Sequence, residues 1–411
     1  MNHPYSKKAE QYLQKLCHGF SNRRVGSTGN REATEYFKQI TSSFGFRVDS
    51  PEFNCVDWHS EGASLGSGKN TFEVFSSPYS VGCQVIAQLQ VISSVDELQF
   101  ADAVGAIVLL RGKIAKEQLM PKNFTFYNPE EHKLIYRLLE EKKPAAIITA
   151  TAPSPGTAGS IYPLPMFEDG DFDIPSVFMT EEEGLRLAEE AGQSVHLASK
   201  SERIPSRGCN AVAYKNPDAT KKLVFTAHID ARYSTPGALD NASGITVLLL
   251  LAEMLRVYRG NLGIELVALN GEDYYANPGE LLYLQQNQNN FPSILLNINI
   301  DDIGYLEGGT HYSLYHCPDD LAWVIRKYFS GQRQMDEGEA WYQGDHMIFV
   351  QNNVPALALT SQQFMQVLAE ITHSERDIPA VVDPSKLGQA ATALFELVEV
   401  FNQFIDHAGK Q

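Results

Sequence analysis

The sequence predicts an α/β fold: a mixed, mostly parallel central sheet flanked by helices, interrupted by a smaller β-rich α/β insertion. Three observations predict it. From Lys222 onward, apolar strand-like runs alternate with helical ones, the pattern of a parallel or mixed sheet covered by helices. Several of those strands run into acidic or imidazole side chains, and the carboxyl ends of strands are where α/β sheets carry their sites. Between about Val56 and Ile204 the texture changes to short strands, turns and short helices. The expected organisation is one discontinuous domain, residues 1–55 and 205–411, with a second domain at 56–204.

The elements follow in order. Helical patterns at Ala9–Cys17 and Arg31–Phe44 flank Arg24-Val-Gly-Ser-Thr-Gly29. Inside the insertion, Ala106–Leu110 and Ala145–Thr149 read as strands, and Ile174–Leu187 as a strand leading into a helix. Thr151–Asp173, rich in Pro, Gly and acidic residues, reads as a long loop, either a linker or a cover over a site. Leu223–Ala227 is a buried strand that closes on His228. Asp240 sits at a turn ahead of an apolar helical pattern at 243–258. Leu262–Asn270 and Ile294–Ile300 are strands that run into Gly271-Glu272-Asp273 and Asp301-Asp302. A strand at 311–316, a helix at 319–329, a strand at 354–359 and a helix at 384–405 complete the alternation. The last helix places Leu387, Ala391, Leu394, Leu397 and Val398 on one face.

Acidic groups that follow apolar strands are poorly explained by packing, because desolvating an unpaired carboxylate costs several kcal/mol or more. A single such Asp is as readily a helix cap or turn residue. The ordered set is another matter. His228-Ile-Asp230, Asp240-Asn-Ala-Ser-Gly244, Glu272-Asp273, Asn299-Ile-Asp301 and Thr372-His373 together resemble the signature of the M28 family of co-catalytic zinc peptidases. The resemblance covers residues 205–411 and the N-terminal helical segment. It implies a zinc-peptidase fold of the phosphorylase–hydrolase type, and the insertion is similar to a protease-associated (PA) domain. It also implies two zinc ions: His228 and Asp301 on one, Asp273 and His373 on the other, Asp240 bridging. Glu272 would be the general base, and Asp230 would stand behind His228 and fix its tautomer. A cis peptide bond after Asp240 is part of the same expectation. Gly344-Asp345-His346-Met347 resembles the family's Ser-Asp-His segment, which implies that Asp345 and His346 either line the substrate pocket or hydrogen-bond locally.

The residue types suit the chemistry. Paired divalent cations lower the pKa of a shared water, a neighbouring carboxylate moves its proton, and His and carboxylate donors without thiolates suit an open catalytic zinc site. Cobalt or manganese suit the same donors. Two departures from the family stand out. Asp273 replaces the usual second Glu and is one methylene shorter, and Thr372 stands where many relatives have Tyr beside the last His. The leading reading is an aminopeptidase acting on short peptides. The alternatives are a glutaminyl-cyclase-like acyltransferase with one zinc, and a non-catalytic binding protein on the same scaffold. Retention of all the ligand positions favours hydrolysis. Metal content and turnover of free-amine against N-terminal glutaminyl substrates separate the three.

Composition bounds the rest. The 411 residues carry 33 Lys and Arg against 50 Asp and Glu, a net charge of −17, which argues against nucleic acid or an anionic membrane as partner. The 5 cysteines are scattered with no CxxC pair, which argues against a thiolate metal site and fits a reducing compartment. No apolar run of about eighteen residues predicts a membrane span, and residues 1–10 lack an apolar signal core. A cytoplasmic peptidase with a peptide substrate is therefore expected; a homo-oligomer is compatible with the sequence.

Overall fold

A computed structural model of the chain describes residues 3–154 and 157–408, and in it the chain divides into two compact units, Met1–Cys55 with Arg207–Gln411, and Val56–Ser206. The first unit is built on an eight-stranded sheet. Across it the strands run Arg47–Asp49, Ala211–Lys215, Gly263–Leu269, Lys222–His228, Ile294–Ile300, Ala356–Ser361, Thr310–Tyr315, Met335–Glu337. The four from Gly263–Leu269 to Ala356–Ser361 are parallel. Three of these, Gly263–Leu269, Lys222–His228 and Ala356–Ser361, are apolar and buried almost throughout, as strands covered on both faces must be. Pairing of His228 with Leu269 and of Thr226 with Asn299 brings the ends of neighbouring strands level, so their following loops meet.

The helix Gly244–Met254 is hydrophobic all round and buried along nearly its whole length, which suits a core helix. The stretch Ala238–Val257 is long and apolar enough to cross a membrane, yet 89% of its most apolar 18-residue window is buried inside the protein. Pro384–Ala408 and Ser6–His18 pack against the same helix. Thr28–Ser43 begins where the Ser27 hydroxyl accepts the Asn30 amide at 3.1 Å, a cap for otherwise unpaired N–H groups. The first unit's chain is interrupted where Arg47–Asp49 pairs with Ala211–Lys215: Asp49 lies opposite Val212, and the Asn210 amide donates to the Pro51 carbonyl at 3.2 Å.

The second unit has its own eight-stranded sheet, whose parallel centre is Cys83–Ile92, Ile107–Arg111, Ala146–Thr151 and Ser176–Thr180. Side chains alternate across it as the pleat requires. Val108 and Leu110 join a cluster with Ile135 and Leu139 of the helix Glu130–Lys142, and Ile107 and Leu109 join a second with Val177 and Leu197. The loop after Thr151 is held by that residue's hydroxyl, which donates to the Leu164 carbonyl at 2.9 Å and accepts the Leu164 amide at 3.0 Å. Pro155 and Gly156 of this loop lie outside the described residues.

Candidate metal centre

The first unit delivers its acidic and imidazole groups from the carboxyl ends of the parallel strands. His228 ends Lys222–His228, Asp301 directly follows Ile294–Ile300, and Glu272 and Asp273 sit just past Gly263–Leu269. His373 lies in the loop beyond Ala356–Ser361 and the short helix Phe364–Glu370. Asp240 comes from the helical turn Ala238–Ser243 that leads into the apolar helix.

These side chains meet as two donor groups. In one, His228 Nε2 is 3.1 Å from Asp240 Oδ1 and 3.5 Å from Asp301 Oδ1. In the other, His373 Nε2 is 3.1 Å from Asp240 Oδ2 and 2.9 Å from Asp273 Oδ1. Asp240 thus gives one oxygen to each group. A tetrahedral zinc ion with ligands at about 2.0–2.1 Å holds its donors roughly 3.3 Å apart, so each group is spaced to hold a cation. The remaining Asp273 oxygen is buried with no hydrogen-bond partner, which suits a cation ligand and no ordinary buried carboxylate.

The electrostatics point the same way. Burial by itself lowers the His228 imidazole, yet Asp301, Asp230 and Asp240 raise it well above its ordinary value. Burial also works against protonation of His373, but Asp273 and Asp240 raise it to about 10. Burial would push Asp240 up; hydrogen bonds from His228 and His373 hold it down instead. Asp301 stays raised by burial, with His228 only partly offsetting it. The pocket draws positive charge, and metal binding here would replace imidazole protons. Beside it, burial pushes the Glu272 carboxyl well above the usual range, with Asp273 and Asp301 adding to the rise.

The loops are held by groups below them. Asp230 Oδ1 accepts the amides of Gly271 at 2.7 Å and Glu272 at 3.3 Å, and Oδ2 that of Asp273 at 3.1 Å. Its distance to His228 Nδ1 is 3.7 Å, longer than a hydrogen bond. Asp230 thus stands behind His228 and also braces the loop carrying Glu272 and Asp273. Asp273, though one methylene shorter than Glu, stands 2.9 Å from His373 Nε2. Gly271 adopts φ +97°, and a Cβ there would lie 2.8 Å from the Pro278 ring, so glycine is required. Asp377 does the same for Asp240, accepting the amides of Leu239 at 2.7 Å and Asp240 at 3.1 Å, and burial pushes its carboxyl up to about 7. The Asp240–Asn241 bond is cis, and Asn241 Nδ2 donates to the Ile300 carbonyl at 2.9 Å. Thr372 points inward, donating to Asp302 Oδ1 and the Val367 carbonyl, each at 3.3 Å.

Asp345 and His346 are open to two readings, lining the substrate pocket or bonding locally, and the structure places both in the interior. Both side chains are 0% exposed. His346 Nε2 meets the Trp341 carbonyl at 3.0 Å, and its ring lies between Tyr315 and Trp341. Burial lowers its pKa to about 4, so it is a neutral packing residue. Asp345 faces Glu280, and burial raises both carboxyls, Glu280 to about 7. Sequence reasoning missed Arg23, Asn30, Asn270, Glu280 and Asp377 as contributors. Of these, Asn270 closes the strand-like run Leu262–Asn270 and Asp377 follows His373 by four residues, and nothing in their spacing marks either.

Residues 210–398 match the sequence model of peptidase family M28. The matched span holds every residue of the candidate metal centre. Probable lipoprotein aminopeptidase LpqL of Mycobacterium tuberculosis (strain ATCC 25618 / H37Rv) is 24% identical to it over 245 residues, 57% of this chain and 45% of that protein. The chain therefore spans less than half the length of this curated relative. The fold is shared by BSAP, a zinc aminopeptidase from Bacillus subtilis, with TM-score 0.73 at 18% identity over 97% of this chain and 96% of that one. It is shared by the aminopeptidase from Aneurinibacillus sp. strain AM-1, with TM-score 0.70 at 19% identity over 95% and 93%. Porphyromonas gingivalis glutaminyl cyclase has the fold too, with TM-score 0.52 at 14% identity over 96% and 97%.

Proposed function

We propose that the chain is a metal-dependent aminopeptidase that removes N-terminal residues from short peptides. The observation that carries the reading is Asp240, whose two oxygens face two separate donor groups, His228 with Asp301 and His373 with Asp273. Zinc is the ion the family suggests, and two ions in these groups would supply Lewis acidity to a water and to the scissile carbonyl. Glu272 takes the proton of that water and passes it to the leaving amine, a role suited to a buried carboxyl whose proton affinity is raised. Asp230 keeps Glu272 and Asp273 in register by holding their amides. The unit Val56–Ser206, with its own apolar clusters, is read as a PA-like module, and the cytoplasm as the compartment.

The test is hydrolysis by zinc-loaded protein of aminoacyl amides and short peptides, each with a free and a blocked amine, beside N-terminal glutaminyl peptides. Cleavage of free-amine substrates only, lost on chelation and restored by zinc, is expected. Cyclisation of glutaminyl peptides without hydrolysis would replace this reading with the acyltransferase one.

A further inference from the structure

We propose that Arg23 and Asn30 are positioning residues that set the spacing of the two halves of the metal centre; the proposal rests on the two-cation reading above. Arg23 is 3% exposed, and its guanidinium binds carbonyl groups of separate segments. Nε donates to Ile229 at 3.0 Å, Nη1 to Leu16 at 2.9 Å and Pro236 at 2.8 Å, and Nη2 to Gly237 at 2.8 Å. Ile229 adjoins His228, and Gly237 opens the turn that carries Asp240. A planar fork fixes the angles between its donors, so Arg23 holds the His228 strand end and the Asp240 turn at a set separation. That separation decides whether His228 Nε2 and Asp240 Oδ1 stand 3.1 Å apart. Burying a guanidinium is costly unless it is hydrogen-bonded and paired; here four carbonyls and the nearby Asp377 carboxyl satisfy it.

Asn30 grips the other half. It is 0% exposed and forms a reciprocal amide pair with Asn270: Asn30 Nδ2 donates to Asn270 Oδ1 at 2.8 Å, and Asn270 Nδ2 to Asn30 Oδ1 at 3.0 Å. Asn270 leads directly into Gly271-Glu272-Asp273. Asn30 Nδ2 also donates to the Arg23 carbonyl at 2.8 Å, which joins the two grips. One short segment ahead of the helix Thr28–Ser43, together with that helix's first turn, is thus the template on which loops far apart in sequence are assembled.

The experiment titrates metal-free full-length chain with Co2+, following its visible absorption and competition with a chromophoric chelator. His228→Ala and Asp273→Ala show which binding step belongs to which half. Arg23→Lys keeps the charge but not the fork, and Asn30→Ser breaks the amide pair; each is checked by circular dichroism and melting. Arg23→Lys is expected to weaken the His228 step by about 10–100-fold and Asn30→Ser the Asp273 step by a similar factor, the range seen when partners of metal ligands are altered. Each is expected to change the Co2+ band of its own half. Wild-type affinities and bands in both variants, with only a lower melting temperature, would show mere braces and overturn the proposal. If Arg23→Lys does not fold, Asn30→Ser decides: an effect confined to the Asp273 step supports the proposal, and an equal or absent effect on the two steps overturns it. Wild-type chain that takes up no Co2+ overturns the two-cation reading itself, a result distinct from unaffected variants of a chain that binds it.

Discussion

At the scale of single residues, the centre depends on groups placed where water cannot satisfy them. Glu272, proposed above as the base, is buried beside the carboxyls of Asp273 and Asp301. Glu272→Gln keeps size and removes the base. It is expected to lower kcat by about 10²–10⁴-fold while leaving metal content as in wild type; loss of metal along with activity would give Glu272 a ligand's role instead. His346 offers a pH test away from the ligands. Its folded pKa lies at about 4 against 6.5 unperturbed, so between those values the unfolded chain binds a proton that the folded chain refuses. Stability from keeping this ring neutral is therefore complete above 6.5 and is lost as pH falls toward 4, by on the order of 3 kcal/mol. Glu280 and Asp345, raised by burial, push the opposite way as they protonate, so the informative quantity is a difference. The stability gap between wild type and His346→Gln should narrow between pH 6.5 and 4, as read by denaturant unfolding. A constant gap would mean the ring is already protonated in the folded chain.

At the scale of elements, what was legible in the sequence was legible because it is local. The run Leu223–Ala227 reads as a buried strand from its side chains alone, and Ile245–Ala252 as a buried helix. His228, Asp240, Glu272, Asp273 and Asp301 stand out as polar groups at the ends of apolar segments or ahead of one, and His373 as an imidazole in a polar loop; the structure brings them together. The strand Ala211–Lys215 and the helix Pro278–Asn287 were not anticipated. One is too short for its period to register, and the other is a weakly amphipathic run with few apolar residues. Arg23, Asn30 and Asp377 were hidden for another reason. Their partners lie 206, 240 and 138 positions away, and no local pattern encodes a contact of that range. The apolar helix Gly244–Met254 gives the element-level prediction. Leu250 is 0% exposed, and Leu250→Ala should lower unfolding free energy by about 2–5 kcal/mol, with donor spacing and Co2+ affinity preserved. A drop in affinity as large as the drop in stability would show the helix to be coupled to the centre as well as to the core.

At the scale of the whole molecule, the proposed metal centre gathers buried carboxylates whose mutual repulsion bound cations would relieve. Ions that bind only the folded chain stabilise it by mass action, about 4 kcal/mol for each site at a free concentration a thousand times Kd. Chelation should therefore lower the melting temperature, and zinc should restore it in proportion to the logarithm of its free concentration. A melt indifferent to both would contradict a native centre that holds metal. The joint between the units carries a different consequence. Where the first unit's chain is interrupted, Asp49 and Val212 are paired neighbours and Asn210 is bonded to Pro51. A detour whose entrance and exit already touch imposes no required span on what it contains, and its closure entropy grows only with the logarithm of its length. The doorway is thus a splice point: segments can be lengthened, exchanged or removed there over evolutionary time without shifting the register of a single ligand-bearing strand.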